Sequence, residues 1–201
     1  NGLLQPKAGT ICVNGIPVTG QKHYCGYMPQ KDMLFPWRTI GENLALPLEI
    51  QRKYTRAEQR ELIDAALADV GLEGCRDKRP DELSGGQRQR AALVRTLQTG
   101  KEMLLLDEPF GALDPITRLH LQELLMTLCI RKGRTVLFVT HDVDEALLLS
   151  DEILLMGSSP GRIIAHYSLP QEKPRTIRTL ALPAMVAMKT EIITLLDEGN
   201  T

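Results

Sequence analysis

A chain of 201 residues with 43% apolar content can bury one sizeable core or form two lobes. Its net charge of −1 argues against a nucleic-acid surface driven by bulk charge, and no stretch approaches the roughly 18–20 apolar residues of a membrane span. The four cysteines, Cys12, Cys25, Cys75 and Cys129, show no Cys-x-x-Cys spacing, so buried or half-buried free thiols in a reducing cytoplasm are expected.

Residues 10–28 read as short strands with turns at Asn14-Gly15 and from Pro17 to Gly20. A helical stretch follows. Thr39 to Gln51 reads as a helix interrupted or kinked near Pro47. Thr55-Arg56-Ala57-Glu58 is a capping box, followed by an apolar face of Leu62, Ile63, Ala66, Leu67 and Val70, with Gly71 as the stop. Arg76 to Glu82 is a polar loop, and Gly85 to Thr99 a further helix. From there strands and helices alternate. Met103 to Glu108 reads as a strand, Pro115 to Lys132 as a helix closed by Gly133, and 135–139 as a strand. Helix 142–149, strand 152–156, a turn from Ser158 to Gly161 and a short strand Arg162-Ile163-Ile164 come next. Lys173 to Thr179 is a basic linker, and Ala184 to Leu196 a final amphipathic helix. Such alternation predicts a parallel sheet in an α/β fold.

Two segments carry the chemistry. Leu83-Ser84-Gly85-Gly86-Gln87 is a helix start, with Ser84 and Gln87 in a second capping box and two glycines that admit close approach to the backbone. Its bare amides and partial positive charge suit an anion. Met103-Leu104-Leu105-Leu106-Asp107-Glu108-Pro109 is an apolar run delivering two carboxylates to the carboxyl edge of a sheet, where ligands of α/β proteins sit. An Asp-Glu pair after a strand also occurs as a solvated turn, but the apolar run before it and the proline after it favour a functional pair. Around these lie Gly26-Tyr27-Met28-Pro29-Gln30, Phe110-Gly111-Ala112-Leu113-Asp114, and a β-branched strand ending in Thr140-His141-Asp142. His23, His120 and His166 have no such setting and read as surface or core residues.

In this order and rough spacing the five motifs resemble those of ATP-binding cassette (ABC) transporter ATPases. The resemblance runs from residue 1 to about residue 165, and more loosely to the end. It implies that Gln30 is the Q-loop residue, Leu83 to Gln87 the signature, Asp107 and Glu108 the Walker B pair, Gly111 to Asp114 the D-loop and His141 the switch histidine. The implied fold is a P-loop NTPase-like parallel sheet core with an inserted helical signature lobe. The implied division is a partial N-terminal β region with the Q-loop (1–38), a helical signature subdomain (39–99), a RecA-like core with Walker B, D-loop and H-loop (100–165), and a C-terminal extension (166–201). ATP and Mg2+ are the implied ligands. Asp107 and Gln30 would serve the metal, and Glu108 would act as general base or water orienter. Gln30 and His141 would join Glu108 as catalytic groups, with His141 on the γ-phosphate. Ser84, Gly85, Gly86 and Gln87 would bind nucleotide held by a second cassette in a head-to-tail homodimer, and Asp114 would communicate across that interface.

One motif of the family does not occur: the 201 residues contain no Gly-x-x-x-x-Gly-Lys-Ser/Thr phosphate loop. Gly15 to His23 has one residue too many before its lysine and no hydroxyl after it, and reads as a turn. Asn1-Gly2-Leu3-Leu4 followed by Gly9-Thr10-Ile11 resembles the segment just after the phosphate-loop helix, so the chain is expected to be an N-terminally truncated cassette, inactive alone. Leu34-Phe35-Pro36-Trp37-Arg38 resembles a permease-contact region, with Phe35, Pro36 and Trp37 at its centre; a core plug between lobes is the alternative. The Leu-Phe-Pro-Trp-Arg-Thr form is similar to importers of nitrate, sulfonates and taurine. The expected function is the energy-coupling ATPase of such an importer, peripheral on the cytoplasmic face of the cell membrane, with no nucleic-acid partner. A soluble non-transport ABC-type ATPase and a non-enzymatic interaction module are the alternatives.

Overall fold

The computed structural model describes residues 4–21, 24–111, 113–131, 133–158, 161–170 and 173–199. Asn1 to Leu3, Lys22, His23, Ala112 in the D-loop segment, the helix end at Lys132 and the centre of the turn after Ser158 lie outside them. The chain forms two compact units, Asn1–Val139 and Thr140–Thr201.

In the first unit, β1 (Cys12–Val13) and β2 (Ile16–Pro17) pair antiparallel. Asn14 and Gly15 between them both have positive φ, 51° and 75°, as a tight hairpin turn requires. Strands β3 (Gly26–Met28), β4 (Met103–Asp107) and β5 (Thr135–Val139) form a parallel sheet in the order β3-β4-β5, with Tyr27, Leu105 and Leu137 in register. One face is closed by Met28, Leu104 and Leu106, all buried; on the other, Tyr27, Leu137 and Val139 are exposed.

Four helices accompany this sheet. Helix α1 (Ile40–Gln51) begins at a capping box of Thr39 and Glu42. It continues through Pro47 instead of breaking there, because Ile40, Leu44 and Leu48 bury one face across the proline. Helix α2 (Arg56–Asp69) starts at the Thr55–Glu58 box, buries Ile63 and Leu67, and ends before Gly71 at φ +63°. A single 3-10 turn, Pro80–Glu82, replaces part of the expected polar loop. Helix α3 (Gly85–Leu97) begins at the Ser84–Gln87 box, and α4 (Pro115–Arg131) follows β4.

Helix α3 is where the first unit is tied together. A side chain at Gly26 of β3 would come within 2.7 Å of Thr99 Oγ1 and 2.8 Å of Leu104 Cδ2, so glycine permits the close approach of the segment after α3 to the sheet. Gln51 Nε2 of α1 donates to the Gln98 carbonyl at 2.8 Å, and Arg90 Nη1 donates to the Val70 carbonyl at 2.7 Å, closing the end of α2.

The second unit holds α5 (Val143–Leu149), β6 (Glu152–Gly157), β7 (Arg162–Ser168), α6 (Ile177–Leu180) and α7 (Pro183–Gly199). Here β6 does not join the parallel sheet that the alternation implies; it pairs antiparallel with β7, which runs seven residues, not three. Helix α6 begins inside the expected basic linker and runs one residue past it. Leu147, Ile153, Leu155, Leu169, Met185 and Ile192 form the core of this unit. Arg175 is buried beside it, and its guanidinium donates to the carbonyls of Leu147 and Ser150 at the end of α5. Desolvation pushes its pKa below the ordinary arginine value, with Asp151 partly opposing the shift.

Cys25 and Cys75 are buried and Cys129 is half-buried, whereas Cys12 on β1 is exposed, against the expectation of a covered thiol. His120 and His166 are exposed, the latter 3.4 Å from Glu152.

The turn just before α1 is held by the Asn43 side chain. Asn43 has 0% exposure; its Oδ1 accepts from the Phe35 N–H at 2.7 Å, and its Nδ2 donates to the carbonyls of Phe35 at 3.1 Å and Thr39 at 2.9 Å. Removing it leaves the Phe35 N–H without that acceptor, while the Phe35 and Thr39 carbonyls keep the backbone N–H groups of Arg38 and Asn43 as donors. Asn43→Ala is expected to lower the unfolding free energy by about 2–3 kcal/mol, read as a lower urea midpoint. An unchanged midpoint would mean that water replaces the amide at no net loss.

Candidate active site

Strand β4 ends at Asp107, and the chain turns sharply at Glu108. Glu108 has φ +47°, in the left-handed region. A side chain other than glycine there costs roughly 1–2 kcal/mol. Such strain collects at functional positions when the surroundings over-determine it. They do so here. The Glu108 N–H donates to the Val139 carbonyl at 2.9 Å, extending the β4–β5 ladder by one bond. The Glu108 carbonyl accepts from Gln89 Nε2 at 2.9 Å and from the Gly111 N–H at 3.3 Å. The carboxylate itself meets Gln30, whose Nε2 donates to Glu108 Oε2 at 2.9 Å. Gln30 and Glu108 stand 78 positions apart in the sequence, on the chain leaving β3 and the chain leaving β4.

Asp107 is half-buried on the preceding residue. Among the described residues no hydrogen bond or ion pair engages its carboxylate. Carboxylate and amide oxygens of Asp107, Glu108 and Gln30 are hard donors. They suit an ion that uses one or two carboxylates and takes its remaining ligands from water and phosphate, as Mg2+ does. They do not make a closed protein cage: no group of three or more His, Cys, Asp or Glu side chains able to hold a metal occurs among the described residues.

Ser84 Oγ accepts from the Gln87 N–H at 3.2 Å, and Gln87 Oε1 accepts from the Ser84 N–H at 2.9 Å. Both side chains are thus engaged in fixing the helix start. The amides of Gly85 and Gly86 belong to the first turn, which has no acceptor within the helix. Ser84 and Gly85 are exposed, and Gly86 and Gln87 half-buried.

The other expected residues are placed as follows. Asp114 caps α4: its Oδ1 accepts from the Thr117 N–H at 3.1 Å. Bonds from the Thr117 side chain and then its backbone hold the Asp114 pKa below the ordinary carboxylate value. His141 belongs to the second unit. It is exposed, in a turn where Thr140 Oγ1 donates to Glu145 Oε2 at 2.7 Å and Asp142 Oδ1 accepts the N–H groups of Asp144 and Glu145 at the head of α5. Phe35 and Trp37 are exposed and pack against each other, ring centroids 5.0 Å apart.

Four residues escaped the sequence reading. One is Gln89, on the Glu108 carbonyl. Arg88 Nε donates to Asp32 Oδ2 at 3.1 Å, and Arg95 donates from Nη1 to the Met33 carbonyl at 2.7 Å and from Nη2 to the Asp32 carbonyl at 2.8 Å. Burial lowers the Arg95 pKa, and Asp32 counters this. The segment after Gln30 is therefore clamped to α3 by two arginines and one aspartate. A signal was present for Gln89. It falls at i, i+3, i+4, i+7 with Ala92, Leu93 and Thr96, and a polar residue in a buried helical stripe needs a hydrogen-bond partner.

The chain is similar to known proteins in both sequence and fold. The sequence model of the ABC transporter family matches residues 1–111. The aliphatic sulfonates import ATP-binding protein SsuB of Bacillus cereus is 41% identical over 177 residues, covering 87% of this chain and 69% of that protein. The nitrate import ATP-binding protein NrtC of Synechococcus elongatus is 39% identical over 201 residues, covering 98% of this chain but 30% of that longer protein. Among solved structures, the dimeric ABC transporter cassette MJ0796 superposes with a TM-score of 0.77 at 28% identity, over 85% of this chain and 77% of that one. A strand-end Asp-Glu pair, a glutamine on the carboxylate and a capped glycine helix start thus occur in a chain whose sequence and fold both match the cassettes, and the chain belongs to the ABC transporter family.

Proposed function

We propose that this chain is the ATP-hydrolysing, energy-coupling subunit of an importer for a small organic or inorganic anion such as nitrate, sulfonate or taurine. The observation that carries the reading is the Gln30–Glu108 contact at the end of β4, at 2.9 Å. It sets a carboxylate base beside an amide that can orient water, at the carboxyl edge of a parallel sheet. The names of the nitrate and sulfonate relatives support the substrate class.

In this reading Glu108 accepts the proton of the attacking water, and Gln30 holds the carboxylate in place. Asp107, with Gln30, would hold Mg2+ directly or through water, and the chemistry that the ion would supply there is neutralisation of phosphate charge. His141 contacts the γ-phosphate. Ser84, Gly85, Gly86 and Gln87 present the head of α3 to nucleotide held by a second copy of the chain, and Asp114 faces that copy. A related cassette solved as a dimer bound to ADP and Pi supports the pairing of two copies. Phe35, Pro36 and Trp37 contact the permease. No described helix is long and apolar enough to cross a membrane, and membrane association at the cytoplasmic face would come through that permease. The phosphate cradle is not among the motifs of these 201 residues, so the chain alone is proposed to be inactive.

Three outcomes test this. In a form of the protein that carries a phosphate loop, Glu108→Gln is expected to reduce turnover by ~10²–10⁴-fold while ATP binding persists; retention of more than half the rate refutes the assignment. In the same form, Trp37→Ala should leave ATP affinity unchanged and weaken permease association in a pull-down, and the reverse pattern sinks the docking role. Calorimetric titration of the 201-residue chain with Mg-ATP should show no micromolar binding. A clear micromolar isotherm would mean that another segment cradles the phosphates.

A further inference from the structure

We infer that Gln89 is a positioning residue for hydrolysis: its amide holds Glu108 in the left-handed backbone conformation from which the carboxylate meets Gln30. The inference rests on the ATPase reading above.

A residue that continued strand β4 would keep the sheet's alternation and its ordinary φ. Glu108 leaves both, at φ +47°. Two anchors fix it there, one on each side of its Cα. The N–H is tied to the Val139 carbonyl of β5 at 2.9 Å, and the carbonyl is turned towards α3, where Gln89 Nε2 meets it at 2.9 Å. The Gly111 N–H shares that carbonyl at the longer distance of 3.3 Å. Gln89 is 6% exposed, so its donor works where water competes poorly. The position lies in the buried stripe of α3 with Ala92, Leu93 and Thr96. A purely packing role there would be met by leucine or methionine, which bring no buried amide in need of partners. The glutamine adds a donor aimed at the one carbonyl whose orientation decides where the Glu108 side chain points. Since α3 also carries Ser84 to Gln87 at its head, a shift of this helix reaches the reacting carboxylate through a single hydrogen bond.

The test is Gln89→Met, which keeps shape and loses the donor, in a form of the protein that carries a phosphate loop. kcat is expected to fall about tenfold or more, since small misplacements of a reacting group are that costly, with KM for ATP within about twofold. Combined with Glu108→Gln, the same substitution should remove nothing further from the residual rate. Unchanged kcat overturns the inference. So does an equal fractional loss in the Glu108→Gln background, because the effect then does not pass through Glu108. Should Gln89→Met not fold, Gln89→Asn, whose amide falls one methylene short, is read by the same two criteria. The 13C shifts of Glu108 in the 201-residue chain give a readout free of turnover: they should leave the left-handed range in the variant, and unaltered shifts overturn the inference. If Glu108→Gln alone keeps more than half the activity, the ATPase reading fails and takes this inference with it. If Glu108→Gln is inactive and Gln89→Met is not, only the positioning role is lost.

Discussion

The absent side chain of Gly26 governs much of the first unit. Any larger residue would push Thr99 and Leu104 aside, so β3 and the end of α3 would separate. Ala91 and Ala92 of that helix are both buried. From this short distance the polar contacts follow. Gln89 reaches the chain beyond β4, and Arg88 and Arg95 reach the chain beyond β3. Both loops that carry the proposed hydrolytic groups are thus referenced to one helix. Their spacing is set by packing between rigid elements, and the hydrogen bonds refine it.

Helix α3 also shows how one sequence serves two purposes. Ser84 and Gln87 satisfy each other's backbone groups, which stabilises the helix start in the absence of any ligand. The anion-attracting property lies in the first-turn amides and the helix dipole, and these need no side chain. The glycines at 85 and 86 keep that end uncovered. In the proposed reading such a helix start is formed before any nucleotide arrives, with its donors already aligned.

Local features were legible because they are written in neighbouring residues. The Asn14-Gly15 turn, the boxes at Thr55 and Ser84 and the stop at Gly71 each need only a few adjacent positions, and the structure has all of them. The parallel sheet followed from alternation in the first unit, and the matching cassette structures share its fold. The alternation does not carry β6 into that sheet: β6 and β7, read as strands on either side of a turn, form an antiparallel pair of their own. Pro47 did not stop α1, since burial of Leu44 and Leu48 outweighs one lost backbone bond. The contacts that define the candidate site were the least legible. Gln30 with Glu108 joins residues 78 apart, and Arg95 with Asp32 joins residues 63 apart. No periodicity encodes such pairs. The sequence offers only the hint that a polar residue in a buried stripe must be meeting something.

The pairing of Phe35 with Trp37 has a thermodynamic side. Trp37 is 67% exposed, yet the segment beneath it is not free to wander: Asn43 holds both the N–H and the carbonyl of Phe35, and the Arg38 N–H closes a turn on that same carbonyl at 3.1 Å. Much of the entropy that an exposed aromatic loop surrenders on association, of order 0.5–1.5 kcal/mol for each immobilised side chain, has been given up at folding. A partner meeting these rings meets a finished surface. Its association rate would be governed by encounter and orientation instead of by a loop finding its shape, and its heat of binding would carry little contribution from local folding.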